Sequence, residues 1–199
     1  MTMFSVFLFE GTAPLDVFGP IQVIGSLEKF YTVNYYSEKG GLVEIQPGLK
    51  VDTKPLSEVP ADGVFLIPGG FGTRRDVQNQ ELIQQVREKA LASRYVLTVC
   101  TGSALLAKTG LLDNLKATTN KKAFNWVAEQ GPNVHWVRKA RWVKDGTFYT
   151  SSGVSAGIDM ILGFVGDTIG PVVAEKIAEG IEYCWNKNNE DDPFHAVSE

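Results

Sequence analysis

One cysteine, at the junction of a buried strand and a helix start, is the residue of this chain best placed for covalent chemistry. Val96 to Val99 form a short apolar, β-branched run of the kind a covered parallel strand needs, and Ser103 to Ala107 are better helix formers. The turn between them therefore falls at Cys100. A side chain there projects from the strand's carboxyl end beside a helix N-terminus, whose unpaired N–H groups carry partial positive charge and favour a thiolate. Gly102 removes a Cβ near the thiol so that substrate can approach closely, and backbone N–H groups around Thr101 can receive negative charge developing on it. The layout is that of a nucleophile elbow with sulfur in place of oxygen. The alternative is that Cys100 is a small buried hydrophobe, as a free cysteine usually is. The strand-to-helix position favours reactivity, and it predicts that Cys100 is the more reactive of the chain's two thiols.

Two other stretches bring candidate groups beside that turn. Gly63 to Ile67 reads as another covered strand and ends in Pro68-Gly69-Gly70-Phe71-Gly72. A glycine pair at a strand's carboxyl end lets backbone N–H groups approach a ligand closely, or simply makes a tight turn. Met3 to Phe9 is almost wholly apolar and reads as a central strand, followed by the loop Glu10–Asp16. Leu15, Phe18, Ile21, Val23, Ile24 and Leu27 then recur at helical spacing, with Pro20 tolerable only in a first turn or at a kink. Asp16 opens that helix, where a carboxylate serves as an N-cap.

The remaining elements complete an alternation. Tyr31 to Tyr36 reads as a strand and Leu42 to Asp52 as a hairpin folded at Gln46-Pro47-Gly48. Residues 78–93 read as a covering helix with the apolar stripe Leu82, Ile83, Val86, Ala90 and Leu91. Beyond the elbow come a short strand at Leu115 to Thr118, a helix around Ala123 to Val127, and a hairpin on Asp145-Gly146. Ser155 to Val165 forms an apolar helix, and Val172 to Trp185 a last one that packs by Val173, Ile177, Ile181 and Cys184, so Cys184 reads as core. The tail from Asn186 reads as loose apart from an anchor at Phe194. Strands alternating with helices predict one α/β domain over residues 1–199, a three-layer sandwich around a mainly parallel sheet. Ligands in such folds bind outside the strands' carboxyl ends, where the loops Glu10–Asp16, Pro68–Gly72 and Cys100–Gly102 lie.

Composition bounds the partners. The chain is 44% hydrophobic with a net charge of −4, which argues against nucleic acid or anionic membrane as the main partner. Its basic run, Arg138-Lys139-Ala140-Arg141, lies between Trp136 and Trp142 in an alternating stretch and reads as a solvated strand face. No stretch approaches ~18 consecutive apolar residues, and the N-terminus lacks the basic flank of a signal peptide, so a cytoplasmic protein is expected. Cys100 and Cys184 offer no disulfide framework, and His135 and His195 sit near neither, so no metal and no cofactor are expected.

Taken together these strings resemble the ThiJ/PfpI superfamily, within the broader class I glutamine amidotransferase-like, flavodoxin-like fold. The resemblance rests on Leu8-Phe9-Glu10-Gly11 with Leu15-Asp16-Val17-Phe18-Gly19-Pro20, Leu66-Ile67-Pro68-Gly69-Gly70, Val99-Cys100-Thr101-Gly102, Gly110-Leu111-Leu112-Asp113 with Ala117-Thr118-Thr119, and Ser152-Gly153-Val154-Ser155-Ala156-Gly157-Ile158-Asp159. It covers nearly the whole chain. The Leu-Asp-x-x-Gly-Pro, Cys-Thr-Gly and Gly-Val-Ser-Ala-Gly-Ile-Asp strings are similar to isonitrile hydratases and to the N-terminal domains of AraC-type regulators. Those regulators carry a helix-turn-helix domain of roughly a hundred residues, for which this chain leaves no room, so a stand-alone enzyme or sensor is expected.

The resemblance maps the nucleophile onto Cys100, its carboxyl partner onto Asp16, and the neighbouring threonine and backbone N–H donors onto Thr101 and Gly70, with Gly69 beside it. It also departs from relatives at two positions. Thr101 stands where the protease-like branch has a histidine after the cysteine, and Asn120 where many relatives have a histidine after the Ala-Thr-Thr stretch. With both histidines missing, proton traffic must pass through Asp16, and a thiol and a carboxyl that share one proton can serve. The expected activity is hydration of a small-molecule isonitrile to an N-substituted formamide. The alternatives are hydrolysis of a small amide, oxidant sensing through an oxidisable low-pKa Cys100, or a non-catalytic binding module. Relatives of this type are commonly homodimers, and Leu15, Val17, Phe18 and Ile21 are candidates for a shared interface or for core.

Overall fold

Strands that are apolar on both faces have to be covered on both, and the sheet is built that way. The computed structural model describes residues 1–196. In chain order it comprises β1 (Thr2–Phe7), α1 (Pro14–Gly25), β2 (Tyr31–Ser37), β3 (Gly41–Ile45), β4 (Leu49–Pro55), β5 (Val64–Ile67), α2 (Thr73–Asp76), α3 (Gln80–Ala92), β6 (Tyr95–Val99), α4 (Gly102–Lys108), β7 (Lys116–Ala117), α5 (Phe124–Gln130), β8 (His135–Trp136), β9 (Trp142–Asp145), β10 (Phe148–Ser151), α6 (Ala156–Thr168) and α7 (Pro171–Gly180). The main sheet has the order β3-β4-β2-β1-β5-β6-β10-β9, and β7 pairs with β8 in a separate ribbon. The strands from β4 through β10 in that order pair in parallel, while β3 and β9 close the two edges antiparallel.

Alternation along each central strand sorts its side chains between two cores. Phe4, Val6, Leu66, Leu97 and Val99 meet Val17, Ile24, Met160, Phe164 and Ile177 of α1, α6 and α7. Phe7, Phe65, Ile67 and Val96 meet Leu82, Val86, Leu105 and Val127 of α3, α4 and α5 on the other face. Each such fully buried side chain contributes about 1.5–3 kcal/mol. This is the expected three-layer flavodoxin-like sandwich. The strand order reverses between β1 and β5, which places a topological switch point beside the loops that follow β1, β5 and β6.

Several local expectations are corrected. Helix α1 begins at Pro14 with Ala13 as the N-cap, and Asp16 is the third residue of its first turn, fully buried, so it is no cap. Pro20 is inside α1, where it has no N–H to offer the Asp16 carbonyl four residues earlier. Of the expected α3 stripe, Leu91 is exposed. The hairpin at 142–149 is as read, but Arg141 is buried rather than solvated, because its guanidinium pairs with Asp159 Oδ2 at 2.7 Å and lies 3.6 Å from Asp192. Helix α7 ends at Gly180, which leaves Cys184 exposed beyond it instead of in the core. The tail is held by fully buried Asp192, while Phe194 is 56% exposed. In α1, Val17 is buried and Ile21 packs on the core, which leaves Leu15 and Phe18 at the surface. No described helix is long and apolar enough to cross a membrane.

Candidate active site

The chain leaves β6 and enters α4 without a spacer, and that geometry forces Cys100 into the left-handed region, at φ 57°. A non-glycine residue there is strained and has to be held in place. Cys100 N–H donates to the Ser152 carbonyl at 3.2 Å, and its own carbonyl accepts from Thr119 Oγ1 at 2.8 Å and Ser103 Oγ at 3.0 Å. The thiol accepts from the N–H groups of Thr101 and Val154. Val154, a β-branched residue at φ 44°, is itself strained, and it belongs to the loop between β10 and α6.

Asp16 reaches the same point from α1. Its Oδ2 accepts Gly69 N–H at 2.9 Å, the Cys100 thiol hydrogen-bonds the carboxyl, and Oδ1 has no nitrogen or oxygen donor. Burial pushes Asp16 up to about 7, against the Gly69 and Cys100 hydrogen bonds that stabilise its charge. Burial, reinforced by the Asp16 charge, pushes Cys100 up to about 12 in spite of the Thr101 and Val154 N–H groups. The expectation of a depressed thiol is thus reversed, because a dry site outweighs the terminus of a helix only seven residues long. The two groups titrate as a unit that holds one proton between about pH 7 and 12.

The glycines act on the framework and less on the substrate than expected. A Cβ on Gly69 would lie 2.6 Å from Thr101 N and 2.9 Å from Asp16 Oδ2, so only glycine lets the β5 loop pass between cysteine turn and carboxyl. Gly70 N–H donates to Thr101 Oγ1 at 3.0 Å and so is not free to receive charge from a substrate. Gly102 sits against the β5 loop, where a Cβ would be 2.2 Å from the Ile67 carbonyl oxygen, and does not line the cavity. Thr101 Oγ1 ties the elbow to the Gly70 carbonyl at 3.3 Å and to Thr73 Oγ1 at 3.1 Å. The donors at the sulfur are the N–H of Thr101, as expected, its hydroxyl, and the N–H of Val154, which was missed. Only a fold that returns β10 beside β6 reveals the latter.

Above the thiol opens a cavity of ≈390 Å³ lined by Ala13, Pro14, Phe71, Arg74, Asn120 and Lys122, among others. Asn120 keeps its carbonyl on Ala123 N–H at 3.1 Å. Neither histidine lines this cavity: His135 lies on β8, and His195 contacts Asp191 and Asp192 in the tail. No cluster of potential metal ligands occurs among the described residues.

Limiting iodoacetamide on the folded protein at pH 7 is expected to alkylate exposed Cys184 before buried Cys100, the reverse of what position alone predicts. Peptide mapping decides this. Preferential labelling of Cys100 would mean that the sulfur carries far more thiolate than its burial permits.

Comparison with known proteins agrees with this architecture. The chain is 30% identical over 180 residues to an isonitrile hydratase of Pseudomonas putida, covering 89% of this chain and 76% of that protein. It is 27% identical to the HTH-type transcriptional regulator GbdR of Pseudomonas aeruginosa over 86% of this chain but only 47% of the regulator. Among solved structures, a ThiJ/PfpI family protein from Pseudomonas syringae superposes with a TM-score of 0.83 at 27% identity, covering 99% of this chain and 79% of that one. Drosophila melanogaster DJ-1beta shares the fold, with a TM-score of 0.78 at 19% identity, covering 92% of this chain and 99% of that one. The DJ-1/PfpI family model matches residues 4–166, most of the chain and all the loops that meet at Cys100, and on that match the chain belongs to the DJ-1/PfpI family.

Proposed function

We propose that this protein adds water to a small electrophilic substrate through a Cys100 nucleophile and an Asp16 acid–base, and that the substrate is an isonitrile. The observation that carries the reading is the buried Cys100–Asp16 pair, which holds one proton at neutral pH and of which the Cys100 side opens on a cavity that no histidine lines. A thiol peptidase draws its proton from an imidazole; this site has a carboxyl in that role. The 30% identity to an isonitrile hydratase supports the same choice.

An isonitrile carbon accepts both a proton and a nucleophile, which is what a thiolate beside a protonated carboxyl offers. The one proton that the pair shares passes to that carbon while the Cys100 sulfur bonds to it, giving an enzyme-bound thioimidate and leaving Asp16 as the carboxylate. Water then attacks the same carbon, one of its protons going to the substrate nitrogen and the other back to the pair. The C–S bond breaks, the formamide leaves, and Cys100–Asp16 again holds one proton. Negative charge on the sulfur before attack and after release is stabilised by the Thr101 and Val154 N–H groups.

A panel of isonitriles, small amides, methylglyoxal and peptides, assayed with wild type and Cys100→Ser, tests the reading. Isonitrile turnover is expected in the wild type and none in the variant. Its kcat/KM should rise with pH through about 7, because below that the pair holds two protons and has no thiolate, and then remain level. Peptide cleavage, or isonitrile turnover that is flat from pH 5 to 8, would remove the mechanism.

A further inference from the structure

Among the described residues, two cations that line the Cys100 cavity have no ion-pair partner. The chain has basic pairs at Arg74-Arg75 and Lys121-Lys122, and among the described residues one member of each pair has an ion-pair partner. Arg75 bonds Asp76 Oδ1 at 2.7 Å and Glu10 Oε2 at 3.1 Å, and Lys121 turns inward to lie 3.8 Å from Asp192 Oδ2. Arg74 and Lys122 instead line the cavity, and among the described residues neither has an ion-pair partner.

Arg74 is held in position by rings in place of a carboxylate. Its guanidinium carbon lies 4.6 Å from the Trp126 ring centroid and 5.5 Å from that of Phe71. A guanidinium placed over aromatic faces keeps its N–H edge available and loses little freedom when an anion arrives. Much of the lining around it, Ala13, Pro14, Phe71 and Ala123, is apolar, which strengthens any charge pairing made there. Asp16, whose charge could oppose an anion, is fully buried and is not part of the lining.

We propose that the substrate of this site carries a carboxylate, which Arg74 grips as a fork and Lys122 as a point charge, leaving the opposite end of the molecule to meet Cys100. The proposal rests on the reading of this cavity as the substrate site and narrows it from any small isonitrile to an isocyano acid. A volume of ≈390 Å³ lies toward the small end of ligand pockets, about 300–1,000 Å³, and suits a small organic acid.

Calorimetric titration of the full chain with benzoate and with benzamide, alike in shape and different in charge, tests this without any turnover. Benzoate is expected to bind about tenfold or more tightly than benzamide, as charge-assisted hydrogen bonds dictate, and the preference should shrink at high salt. Arg74→Met and Lys122→Met should each remove most of the preference while thermal unfolding stays at the wild-type temperature, both side chains being exposed. No binding of benzoate, equal binding of the two ligands, or a preference that survives in the double variant overturns the proposal. Turnover supplies the second arm, with 4-isocyanobenzoate expected to be the better substrate than its methyl ester. If the benzoate preference holds and no isonitrile reacts, the carboxylate site stands and the isonitrile reading falls. If isonitriles react but the ester is as good as the acid, the carboxylate assignment falls alone.

Discussion

Asp16→Asn is expected to lower turnover on the order of 10²-fold or more while raising stability at alkaline pH. The loss follows from the site: an amide preserves the shape and can still accept Gly69 N–H, but it cannot deliver a proton to substrate. The gain follows from burial. Asp16 is fully buried and its pKa is raised from 3.8 to about 7, so the folded chain holds a proton that the unfolded chain has already lost. That contribution is intact below pH 3.8 and disappears as pH rises through 7, a loss of at most about 4 kcal/mol. Asparagine never ionises and escapes it, less the cost of amide hydrogens without full partners, so a net gain of about 1–3 kcal/mol at pH 8.5 is expected. Denaturant unfolding at pH 4 and pH 8.5 measures it. An equal stability difference at both values, or a variant at full rate, would show that Asp16 is not the buried acid–base.

Asp192→Ala is expected to destabilise the protein by about 3 kcal/mol or more at pH 6.5, since it strips a counter-charge from buried cations. Asp192 is fully buried with Lys121 at 3.8 Å and Arg141 at 3.6 Å. Arg141 keeps Asp159, but Lys121 keeps neutral partners, Thr118 Oγ1, the Ala140 carbonyl and the Phe124 ring, and no other carboxylate among the described residues. Burial already brings Lys121 down to about 8 with Asp192 opposing that fall. Without Asp192 it should lose its proton at lower pH than in the wild type, so the defect should shrink as pH rises from 6.5 through about 8, where the wild-type lysine becomes neutral as well. The backbone bond from residue 192 N–H to the Lys139 carbonyl at 2.7 Å survives the change, but the tail loses its carboxylate's hold on Lys121, Arg141 and Phe194 N–H, which loosens the segment that carries Asn120 and Lys122 into the cavity. KM should accordingly rise more than kcat falls. A loss below about 1 kcal/mol at pH 6.5 would mean that the tail does not strap the fold.

The parts of this protein that the sequence by itself determines are those set by local pattern. Apolar runs such as Phe4 to Phe9 and Val64 to Ile67 specify covered strands, their alternation with helical stripes specifies a mainly parallel sheet, and the break between Val99 and Ser103 specifies the turn at Cys100. The cysteine, its elbow and the loops that end beside it are legible because each depends on neighbours a few residues away.

Properties that depend on distant segments were decided only by tertiary structure. The thiol is raised and not lowered because the folded chain buries it, and the charge of Asp16, from 84 residues earlier, adds to that; no local pattern reports how dry the contact is. Gly70 donates to Thr101 instead of to substrate because the β5 loop docks on the elbow, and Val154 enters the site because β10 returns beside β6. Arg141 reads as a surface cation until Asp159 and Asp192 close around it, and Arg74 gains its place at the cavity mouth from Trp126, 52 residues away. Sequence periodicity reports which face of an element is apolar; the charge that a buried group carries depends on what other elements bring within a few ångströms of it, and that is fixed only when the chain has folded.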